Sequence, residues 1–519
     1  MLTFALATLQ SVLSLLRRAR LVKILKAELP PGVDGISGVT HDSRSVRPGF
    51  AFVAIPGFRH DGAEFVPEAL RRGAALVVAE RELSPGGVPS VVVPDARAAL
   101  AALSCAIFGN PSEEMAVFGV TGTNGKTTSA YVLYSILAAA YTPEKCGLMT
   151  TAEMIFRGER HPAHRTTPEA VEVQGALREM LDAGIEYAVL EVSSHGIALK
   201  RVAGTCFAGA LFTNLTRDHL DLHGSMEEYY AAKRELFRWT SGPKLANADD
   251  AFGRRLAREV PGVQTFGAIE DVDYRVEDVE FTREGSSFLL RRLEGALEIG
   301  SPLLGPYNVE NVAGAASLAL ALGVADEAVE RGVRKMKQVP GRFERVGATE
   351  DLGFDVIVDY AHTEAELEAV LNVARAVAEG RNGDVGRQGR VLCVFGAAGD
   401  RDTAKRPLMG RAAARLAELS IITTDDAYTE DPAKIALEIV AGSQGGPGSY
   451  EIVLDRRAAI ERALREAEPG DVIVVAGKGH ERVQHLPKGD VAFHDASVVR
   501  ELLEEQRGKG GWLARRGQE

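Results

Sequence analysis

The stretch VFGVTGTNGKTTSAYVL, residues 117–133, decides the fold of the region around it. An apolar run typical of a buried strand leads into a glycine-containing loop, and an apolar helical pattern follows. Strand, glycine loop and helix in this order are the context that a phosphate-binding loop requires. The common pattern G-x-x-x-x-G-K-[ST] is incomplete, because Val120 stands where its first glycine is expected and Gly122 lies inside the loop. The stretch therefore predicts a phosphate loop of a variant kind.

The residue types in this loop suit phosphate chemistry. Gly122 and Gly125 allow a tight turn and a close approach of the backbone to phosphate oxygens. Lys126 supplies a positive charge, and the Thr127 hydroxyl is suited to bind Mg²⁺. A helix beginning near Thr128 would direct the positive end of its dipole at the phosphates. A glycine turn followed by a chance Lys-Thr pair is the other interpretation. The predicted ATP-binding residues of the loop are Gly122, Thr123, Asn124, Gly125, Lys126, Thr127 and Thr128.

Composition excludes several classes of protein. A chain of 519 residues predicts two to four domains. Its net charge of -12, with acidic and basic residues interleaved, argues against a nucleic-acid partner. The four cysteines have no metal-binding spacing and suggest a reducing compartment, so we expect a cytoplasmic protein. The apolar run at residues 1–20 carries its positive charge after the run and is too short to span a bilayer, so we expect an extension and no membrane partner.

Apolar runs that end in polar clusters recur along the chain, as expected for α/β domains whose ligands lie at the carboxyl ends of parallel strands. The pattern restarts after residue 340, which predicts a second doubly wound domain. We expect an uncertain extension at 1–20, a small α/β domain at 21–112, a central ATP-binding domain at 113–340, a C-terminal domain at 341–507 and a flexible tail at 508–519.

The loop TGTNGKTT resembles that of the Mur ligases and the related folylpolyglutamate synthetases, which form amide bonds with ATP through an acyl phosphate. Ten further stretches, spread in order over residues 41–481, resemble the Mur ligases that add the third residue of the peptidoglycan stem peptide. They are HDSRSVRPGFAFVAIPGFRHDG, TTPE, EVSSHG, FTNLTRDHLDLHG, YYAAKRELF, GPYNVEN, PGRFERV, VDYAHT, GAAGDRDTAKRPLMG and AGKGHE. The resemblance implies three α/β domains: one that binds a UDP-linked substrate, a central P-loop-type ATPase domain and a C-terminal Rossmann-like domain.

The resemblance also implies the substrates: UDP-N-acetylmuramoyl-dipeptide, ATP as co-substrate and a diamino acid, acted on by a monomer. Lys126 and Thr127 would hold phosphates and one Mg²⁺, with Glu191 as its carboxylate ligand. His219 matches the ligand of a second Mg²⁺, and Lys233 matches a lysine that the family carbamylates. Residue type alone favours a hydrogen-bonded structural role for His219 and a helix-surface position for Lys233. Glu191, at the end of a buried strand, needs a partner or a metal.

Further positions match the family's substrate contacts. Asn308 and Asn311 match positions near the adenine, and Arg342 and Asp359 match residues that contact the nucleotide. Ordinary loop chemistry is the alternative for the positions that match contacts to the UDP-linked substrate. Those positions are Ser43, Arg44, Thr166, Thr167, Ser193 and Arg201.

The acceptor amino acid is where the sequence departs from the family. Ligases for meso-diaminopimelate carry D-N-P-R, whose arginine grips the distal carboxylate, whereas here Asp425-Asp426-Ala427-Tyr428 stands. A tyrosine does not offer arginine's bidentate charged fork, and Asp426 adds negative charge. These changes favour L-lysine, with L-ornithine close, because one methylene is worth only about 1–3 kcal/mol. meso-Diaminopimelate is the alternative if another basic residue fills the role. The predicted amino-acid-binding residues are Arg401, Asp425, Asp426, Tyr428, Gly477 and Glu481.

Three other functions are alternatives to this one. A folate-chain ligase lacks the N-terminal DSR element and GDRD, and another Mur ligase step disagrees with EVSSHG and AGKGHE. A non-catalytic nucleotide-binding regulator is expected to have lost Lys126, Glu191, His219 or Lys233. All four are present, which favours catalysis.

Overall fold

The computed structural model describes residues 24–26, 35–57, 60–83, 86–163, 165–282, 284–347, 352–380 and 388–507. The predicted extension 1–20 and tail 508–519 lie outside these ranges. The chain divides into two compact units. The first comprises the described residues up to Val279, with Phe288–Gly300 and Glu310–Met336; the second comprises Glu280–Ser287, Ser301–Val309 and the described residues from Lys337 onward. The predicted boundary at residue 112 falls inside the first unit and stays a prediction.

The first unit begins with a five-stranded sheet. Four of its strands are parallel, and Ile24–Lys26 pairs antiparallel with Ser90–Val92 at one edge. Buried aliphatic residues cover both faces of this sheet, as expected for a parallel sheet. The strand order is Ile24–Lys26, Ser90–Val92, Leu76–Ala79, Phe50–Ala54 and Gly38–Thr40.

An eleven-stranded sheet follows, and the strand of the quoted stretch, Ala116–Thr121, lies inside it. Its neighbours Tyr187–Glu191 and Phe207–Phe212 are both parallel to it, with Glu191 opposite Val120 and Phe212 opposite Thr121. The carboxyl ends of these three strands therefore meet at one edge. The order is Gly295–Ser301, Ser286–Arg292, Tyr274–Phe281, Val263–Gly267, Lys244–Asn247, Phe207–Phe212, Ala116–Thr121, Tyr187–Glu191, Cys146–Met149, Glu153–Phe156 and Glu159–Pro162.

The second unit contains a six-stranded sheet in which five strands are parallel and Glu344–Arg345 pairs antiparallel with Asp355–Asp359. Two clusters of buried aliphatic side chains cover its two faces, which is the doubly wound arrangement that the sequence predicts. The order is Glu344–Arg345, Asp355–Asp359, Val472–Ala476, Val391–Phe395, Leu419–Ile422 and Ser449–Ile452. A separate hairpin pairs Val483–Leu486 with Gly489–Ala492.

Helices connect the strands. Within the described ranges, none of them combines the length and the apolar character that crossing a membrane demands. The α-helices are Val66–Arg71, Ala96–Ile107, Lys126–Tyr141, Ala170–Asp182, Ser194–Ala198, Leu220–His223, Met226–Trp239, Ala251–Glu259, Pro306–Ala321, Asp326–Arg334, Glu364–Gly380, Lys405–Leu416, Pro432–Ser443, Arg456–Glu466 and Asp495–Arg507. Short 3₁₀ helices are Ser43–Ser45, Gly62–Phe65, Pro111–Glu113 and Pro143–Lys145.

Candidate active site

The predicted phosphate loop lies between the strand Ala116–Thr121 and the helix Lys126–Tyr141, which begins two residues earlier than the sequence suggested. Neither loop glycine could carry a side chain without a steric clash. A Cβ on Gly122 would lie 1.8 Å from the Thr213 hydroxyl oxygen, and one on Gly125 would lie 2.0 Å from Asn311 Oδ1. Gly125 also has a left-handed backbone, with φ of +80°, which glycine adopts without steric cost.

The residues that follow the neighbouring strand hold this loop in place. The Thr213 hydroxyl donates to the Asn124 carbonyl at 2.6 Å, and the Asn124 amide donates to Asn214 Oδ1 at 2.9 Å. The Lys126 ammonium turns back and donates to the Thr123 carbonyl at 2.7 Å. The loop is therefore fixed from outside as well as by its own turn, and a positive charge lies over it.

Thr127 and Glu191 meet at the carboxyl ends of adjacent strands. The Thr127 hydroxyl donates to Glu191 Oε2 at 2.9 Å, and the Thr151 amide donates to the same oxygen at 3.0 Å. Both side chains are buried. Among the described side chains, no group of three or more His, Cys, Asp and Glu residues is arranged to hold a metal ion. Mg²⁺ needs no such cage, because it is usually held by one or two carboxylates with substrate phosphates and water. One hydroxyl and one buried carboxylate beside a phosphate loop therefore fit Mg²⁺.

Lys233 is a buried residue with 1% of its surface exposed, so the helix-surface interpretation from residue type is wrong. It lies on the inner face of the helix Met226–Trp239, where its ammonium donates to the Gly122 carbonyl at 2.6 Å and lies 4.7 Å from the centre of the Tyr229 ring. Burial, and next the positive charge of Lys126, lower the pKa of Lys233 well below its ordinary value, although Asp218 and Glu191 oppose this. Lys233 therefore gives up its proton more readily than an exposed lysine does.

Three histidines lie close together beside this lysine. His219 immediately precedes the helix Leu220–His223 and has a left-handed backbone, and its Nε2 lies 3.4 Å from Asp218 Oδ2. Its ring meets that of His195 edge-on at 4.7 Å, and the His223 ring stacks on Tyr229 at 4.9 Å. The Tyr229 hydroxyl lies 3.1 Å from the Thr123 hydroxyl in the phosphate loop. His219 was predicted, whereas His195, His223 and Tyr229 were not.

The two asparagines of the helix Pro306–Ala321 have different surroundings. Asn311 lies against the phosphate loop at Gly125 and accepts a hydrogen bond from the Ser129 hydroxyl at 3.3 Å. Asn308 belongs to the second unit, where its amide donates to the Leu304 carbonyl at 2.8 Å. The predicted contact of both residues with adenine stays a prediction.

Three of the residues predicted to contact the UDP-linked substrate converge after the strand Tyr187–Glu191. The Ser193 amide and hydroxyl both lie 3.0 Å from the Thr167 hydroxyl oxygen. The Arg201 guanidinium donates to the Thr167 carbonyl at 3.1 Å and pairs with Glu169 at 2.6 Å. Burial lowers the pKa of Arg201, opposed by Glu169. The neighbouring Thr166 is half-buried.

The remaining two predicted residues of this group, Ser43 and Arg44, lie in the 3₁₀ helix after the strand Gly38–Thr40. Ser43 is buried and donates to Glu68 at 2.7 Å. Arg44 is exposed, and its guanidinium donates to the Asp42 carboxylate from Nε at 2.9 Å and from Nη2 at 2.8 Å. The fold thus places an exposed guanidinium at the carboxyl edge of the N-terminal sheet.

In the second unit, Arg342 and Asp359 lie near one another at the end of the strand Asp355–Asp359. The Asp359 carboxylate accepts hydrogen bonds from the Phe343 amide at 2.6 Å and the Ala361 amide at 2.8 Å. Burial raises the pKa of Asp359, and Arg342 opposes this. The Arg342 guanidinium carbon lies 4.4 Å from the centre of the Tyr360 ring.

The predicted amino-acid site holds a buried ion-pair cluster. The Lys478 ammonium donates to Asp426 Oδ1 at 2.7 Å and to Glu481 Oε2 at 2.8 Å. A Cβ on Gly477 would lie 2.3 Å from Asp425 Oδ2, so this glycine allows the Asp425 carboxylate to approach. The negative charge of Asp426 is therefore paired with Lys478. The added charge no longer favours lysine, and only Tyr428 in place of arginine still does.

Tyr428 has a left-handed backbone with φ of +48° and is held by its surroundings. Its amide donates to the His485 carbonyl at 3.0 Å, and its ring stacks on His485 at 5.2 Å. The Arg401 guanidinium carbon lies 5.9 Å from the centre of the Tyr428 ring. The Arg401 guanidinium and the His485 ring, whose Nδ1 lies 2.8 Å from Asp490 Oδ1, thus flank the position where the family carries arginine.

Sequence reasoning missed several residues that shape these two sites. All but His485 lie inside motifs that carried the resemblance, so for those residues the signal was present although no role was assigned. Their partners are distant in sequence, which explains the omission. The missed residues are Glu169, His195, Thr213, Asn214, His223, Tyr229, Lys478 and His485.

Comparison with known proteins identifies the family. The Mur ligase middle domain matches residues 120–319, the Mur ligase glutamate ligase domain matches residues 341–479, and the Mur ligase family catalytic domain matches residues 35–107. The chain is 42% identical, over 92% of its length and 96% of the other protein, to UDP-N-acetylmuramoyl-L-alanyl-D-glutamate–2,6-diaminopimelate ligase of Gloeobacter violaceus. It is 41% identical to the ligase of the same name from Solibacter usitatus, over 90% and 93% of the two chains.

A solved structure of a ligase of that name has a TM-score of 0.65 and 30% sequence identity, and the match covers 97% of this chain and all of the other. These matches confirm the predicted family and the three-domain α/β fold. The chain therefore belongs to the Mur ligase family of ATP-dependent ligases.

Proposed function

We propose that this chain uses ATP to add a diamino acid, as third residue, to UDP-N-acetylmuramoyl-L-alanyl-D-glutamate. One observation carries the proposal: the phosphate loop, the Thr127–Glu191 pair and Lys233 meet at one place in the first unit. Lys233 reaches the loop directly, through its 2.6 Å hydrogen bond to the Gly122 carbonyl. The proposed substrate is taken from the names of the two ligases to which the chain is similar. We also propose the five segments predicted from the sequence, with boundaries at 1–20, 21–112, 113–340, 341–507 and 508–519.

The proposed reaction transfers the γ-phosphoryl group of ATP to the D-glutamate carboxylate, and the amine of the incoming amino acid then displaces phosphate. Lys126 and the loop amides would hold the phosphates, and the buried site favours this electrostatic stabilisation. Thr127 and Glu191 would hold one Mg²⁺, and His219 is the proposed ligand of a second. Bound Mg²⁺ neutralises phosphate charge and polarises the transferred group.

Lys233 is proposed to be carbamylated. The reaction needs a neutral amine, whose nitrogen attacks the carbon of CO₂ and then releases one proton, leaving a carbamate anion. The lowered pKa of Lys233, caused first by burial and then by Lys126, favours that neutral amine. The carbamate would place a negative charge near Lys126 and would supply oxygen atoms beside the phosphate loop.

The substrate contacts are proposed from position. Thr166, Thr167, Ser193 and Arg201 would contact the muramoyl dipeptide, and the convergence of three of them supports this. Ser43 and Arg44 would lie near the uridine diphosphate. The nucleotide would also contact four residues outside the loop, namely Asn308, Asn311, Arg342 and Asp359.

We propose meso-diaminopimelate as the amino acid, in place of the lysine that the sequence favoured. The relatives named above are 2,6-diaminopimelate ligases, which supports this choice. The pairing of Asp426 with Lys478 also supports it, because the added negative charge is compensated. Arg401 beside Tyr428 would meet the second carboxylate, and His485, whose Nδ1 lies 2.8 Å from Asp490 Oδ1, stacks on the same ring. Asp425, Gly477 and Glu481 would frame the other end of the site.

The test is ADP release by the purified protein with ATP, Mg²⁺, UDP-N-acetylmuramoyl-L-alanyl-D-glutamate and one amino acid. We expect release that requires all four components and is fastest with meso-diaminopimelate among meso-diaminopimelate, L-lysine and L-ornithine. Omission of the UDP-linked substrate is the control for ATP hydrolysis alone. ATP binding without ADP release in every tube would refute the ligase proposal and favour a regulator.

A further inference from the structure

Lys478 is the most deeply buried charged side chain of the amino-acid site. Its side chain is fully buried, whereas its partners Asp426 and Glu481 retain 8% and 33% side-chain exposure. It lies just beyond the strand Val472–Ala476, two residues past its end. Both partner carboxylates are therefore more exposed to solvent than the Lys478 side chain is.

Lys478 supplies a positive charge among three carboxylates. Asp425, Asp426 and Glu481 bring three carboxylates together, and Lys478 donates to two of them. Burial opposes the charged form of Lys478, but Asp425, Glu481 and Asp426 outweigh it and raise its pKa. Lys478 therefore stays protonated, and removing it would leave carboxylates close together in a poorly solvated place.

Lys478 also fixes the direction of two groups. The other oxygen of Glu481 lies 3.4 Å from the Tyr360 hydroxyl, so the carboxylate is held from both sides. Asp426 Oδ1 accepts from Lys478 and, at 2.9 Å, from the His485 amide. The ammonium thus ties Glu481 to the loop that carries Asp426 and to the hairpin that carries His485.

We propose that Lys478 is a positioning residue for amino-acid binding and that it acts with Asp426 as a pair. This inference rests on the proposed function of the site. Lys478 holds the Glu481 carboxylate where the incoming amine is bound, and it cancels the charge that Asp426 adds. The pair therefore lets this chain carry aspartate at the second position of the family's D-N-P-R stretch without rejecting an amino acid that has a second carboxylate.

The test compares Lys478→Met with Lys488→Met, the same substitution at an exposed lysine of the hairpin. We expect Lys478→Met to raise KM for the amino acid that the wild-type protein uses at least tenfold, with KM for ATP changed less than twofold. Adding Asp426→Asn to Lys478→Met should recover at least threefold, because it removes the uncompensated carboxylate. Lys488→Met should behave as the wild type.

A folded Lys478→Met variant, judged by its melting temperature, with wild-type KM for the amino acid would overturn the inference. If Lys478→Met does not fold, the single variant Asp426→Asn tests the inference. It leaves the Lys478 charge less compensated, so the ratio of kcat/KM for meso-diaminopimelate to that for L-lysine should rise at least threefold; an unchanged or lower ratio also overturns the inference. A wild-type protein that uses no amino acid contradicts the proposed function instead, so the two failures are distinguishable.

Discussion

Replacing Gly125 by alanine is expected to disable the phosphate loop by a steric mechanism that can be separated from backbone strain. An L-residue at φ of +80° costs about 1–2 kcal/mol. The new Cβ would also lie 2.0 Å from Asn311 Oδ1, and Asn311 is buried and bonded to Ser129, so it has little room to move. Overpacking of this kind costs about 1–3 kcal/mol more. The free energy of unfolding should therefore fall by about 2–5 kcal/mol.

Gly184 offers a matched control. It has nearly the same backbone, with φ of +84°, but no heavy atom lies within 4 Å of the place of its Cβ. Gly184→Ala should therefore carry only the backbone cost of about 1–2 kcal/mol. Urea unfolding and KM for ATP would be measured for both variants.

We expect Gly125→Ala to raise KM for ATP at least tenfold, because a loop that shifts to relieve the clash needs at least about 1.4 kcal/mol to regain its geometry. Gly184→Ala should leave KM for ATP unchanged. Adding Asn311→Ala to Gly125→Ala should recover stability by removing the clash. Equal stability and equal KM for ATP in the Gly125 and Gly184 variants would refute the reasoning.

Three further predictions concern the same site. Tyr229→Phe removes the hydroxyl that lies 3.1 Å from the Thr123 hydroxyl, so KM for ATP should rise about 2- to 10-fold, matching about 0.5–1.5 kcal/mol for one hydrogen bond; an unchanged KM would contradict the contact. Glu191→Gln retains an acceptor for the Thr127 hydroxyl but loses the negative charge, so kcat should fall at least 100-fold and the Mg²⁺ concentration for half-maximal rate should rise. If the variant needs the same Mg²⁺ concentration as the wild type, Glu191 is not a ligand. Burial and Lys126 lower the pKa of Lys233, so between the lowered pKa and about 10.4 the unfolded chain binds more protons than the folded one and stability rises with pH. In CO₂-free buffer, Lys233→Met should therefore raise the melting temperature more at pH 7 than at pH 9. An equal change at both pH values would show that Lys233 titrates normally.

The part of this molecule that the sequence predicted well depends on local chain geometry. The α/β fold follows from apolar runs that recur along the chain, and the phosphate loop follows from a strand, two glycines and a helix within residues 117–133. The position of Glu191 at the end of a buried strand also followed from its own neighbours. Because parallel strands present their carboxyl ends at one edge, such local patterns suffice to predict where side chains gather.

The part that the sequence predicted poorly depends on pairing between distant residues. Lys233 reads as a surface residue by type, but it shares the inner helix face with Tyr229, Tyr230, Leu236 and Phe237. Asp426 reads as an added negative charge, but its partner Lys478 lies 52 residues away. In both cases burial and contacts with residues distant in sequence give the charged side chain a role that its residue type alone does not indicate.

The most direct test of the central claim is the mass of the product formed when the three amino acids compete. The protein would be given ATP, Mg²⁺, UDP-N-acetylmuramoyl-L-alanyl-D-glutamate and equimolar meso-diaminopimelate, L-lysine and L-ornithine. We predict that the UDP-linked product gains the mass of one diaminopimelate residue, with ADP released in equal amount. A product that carries lysine or ornithine would contradict the amino-acid assignment, and an unchanged UDP-linked substrate would contradict the ligase itself.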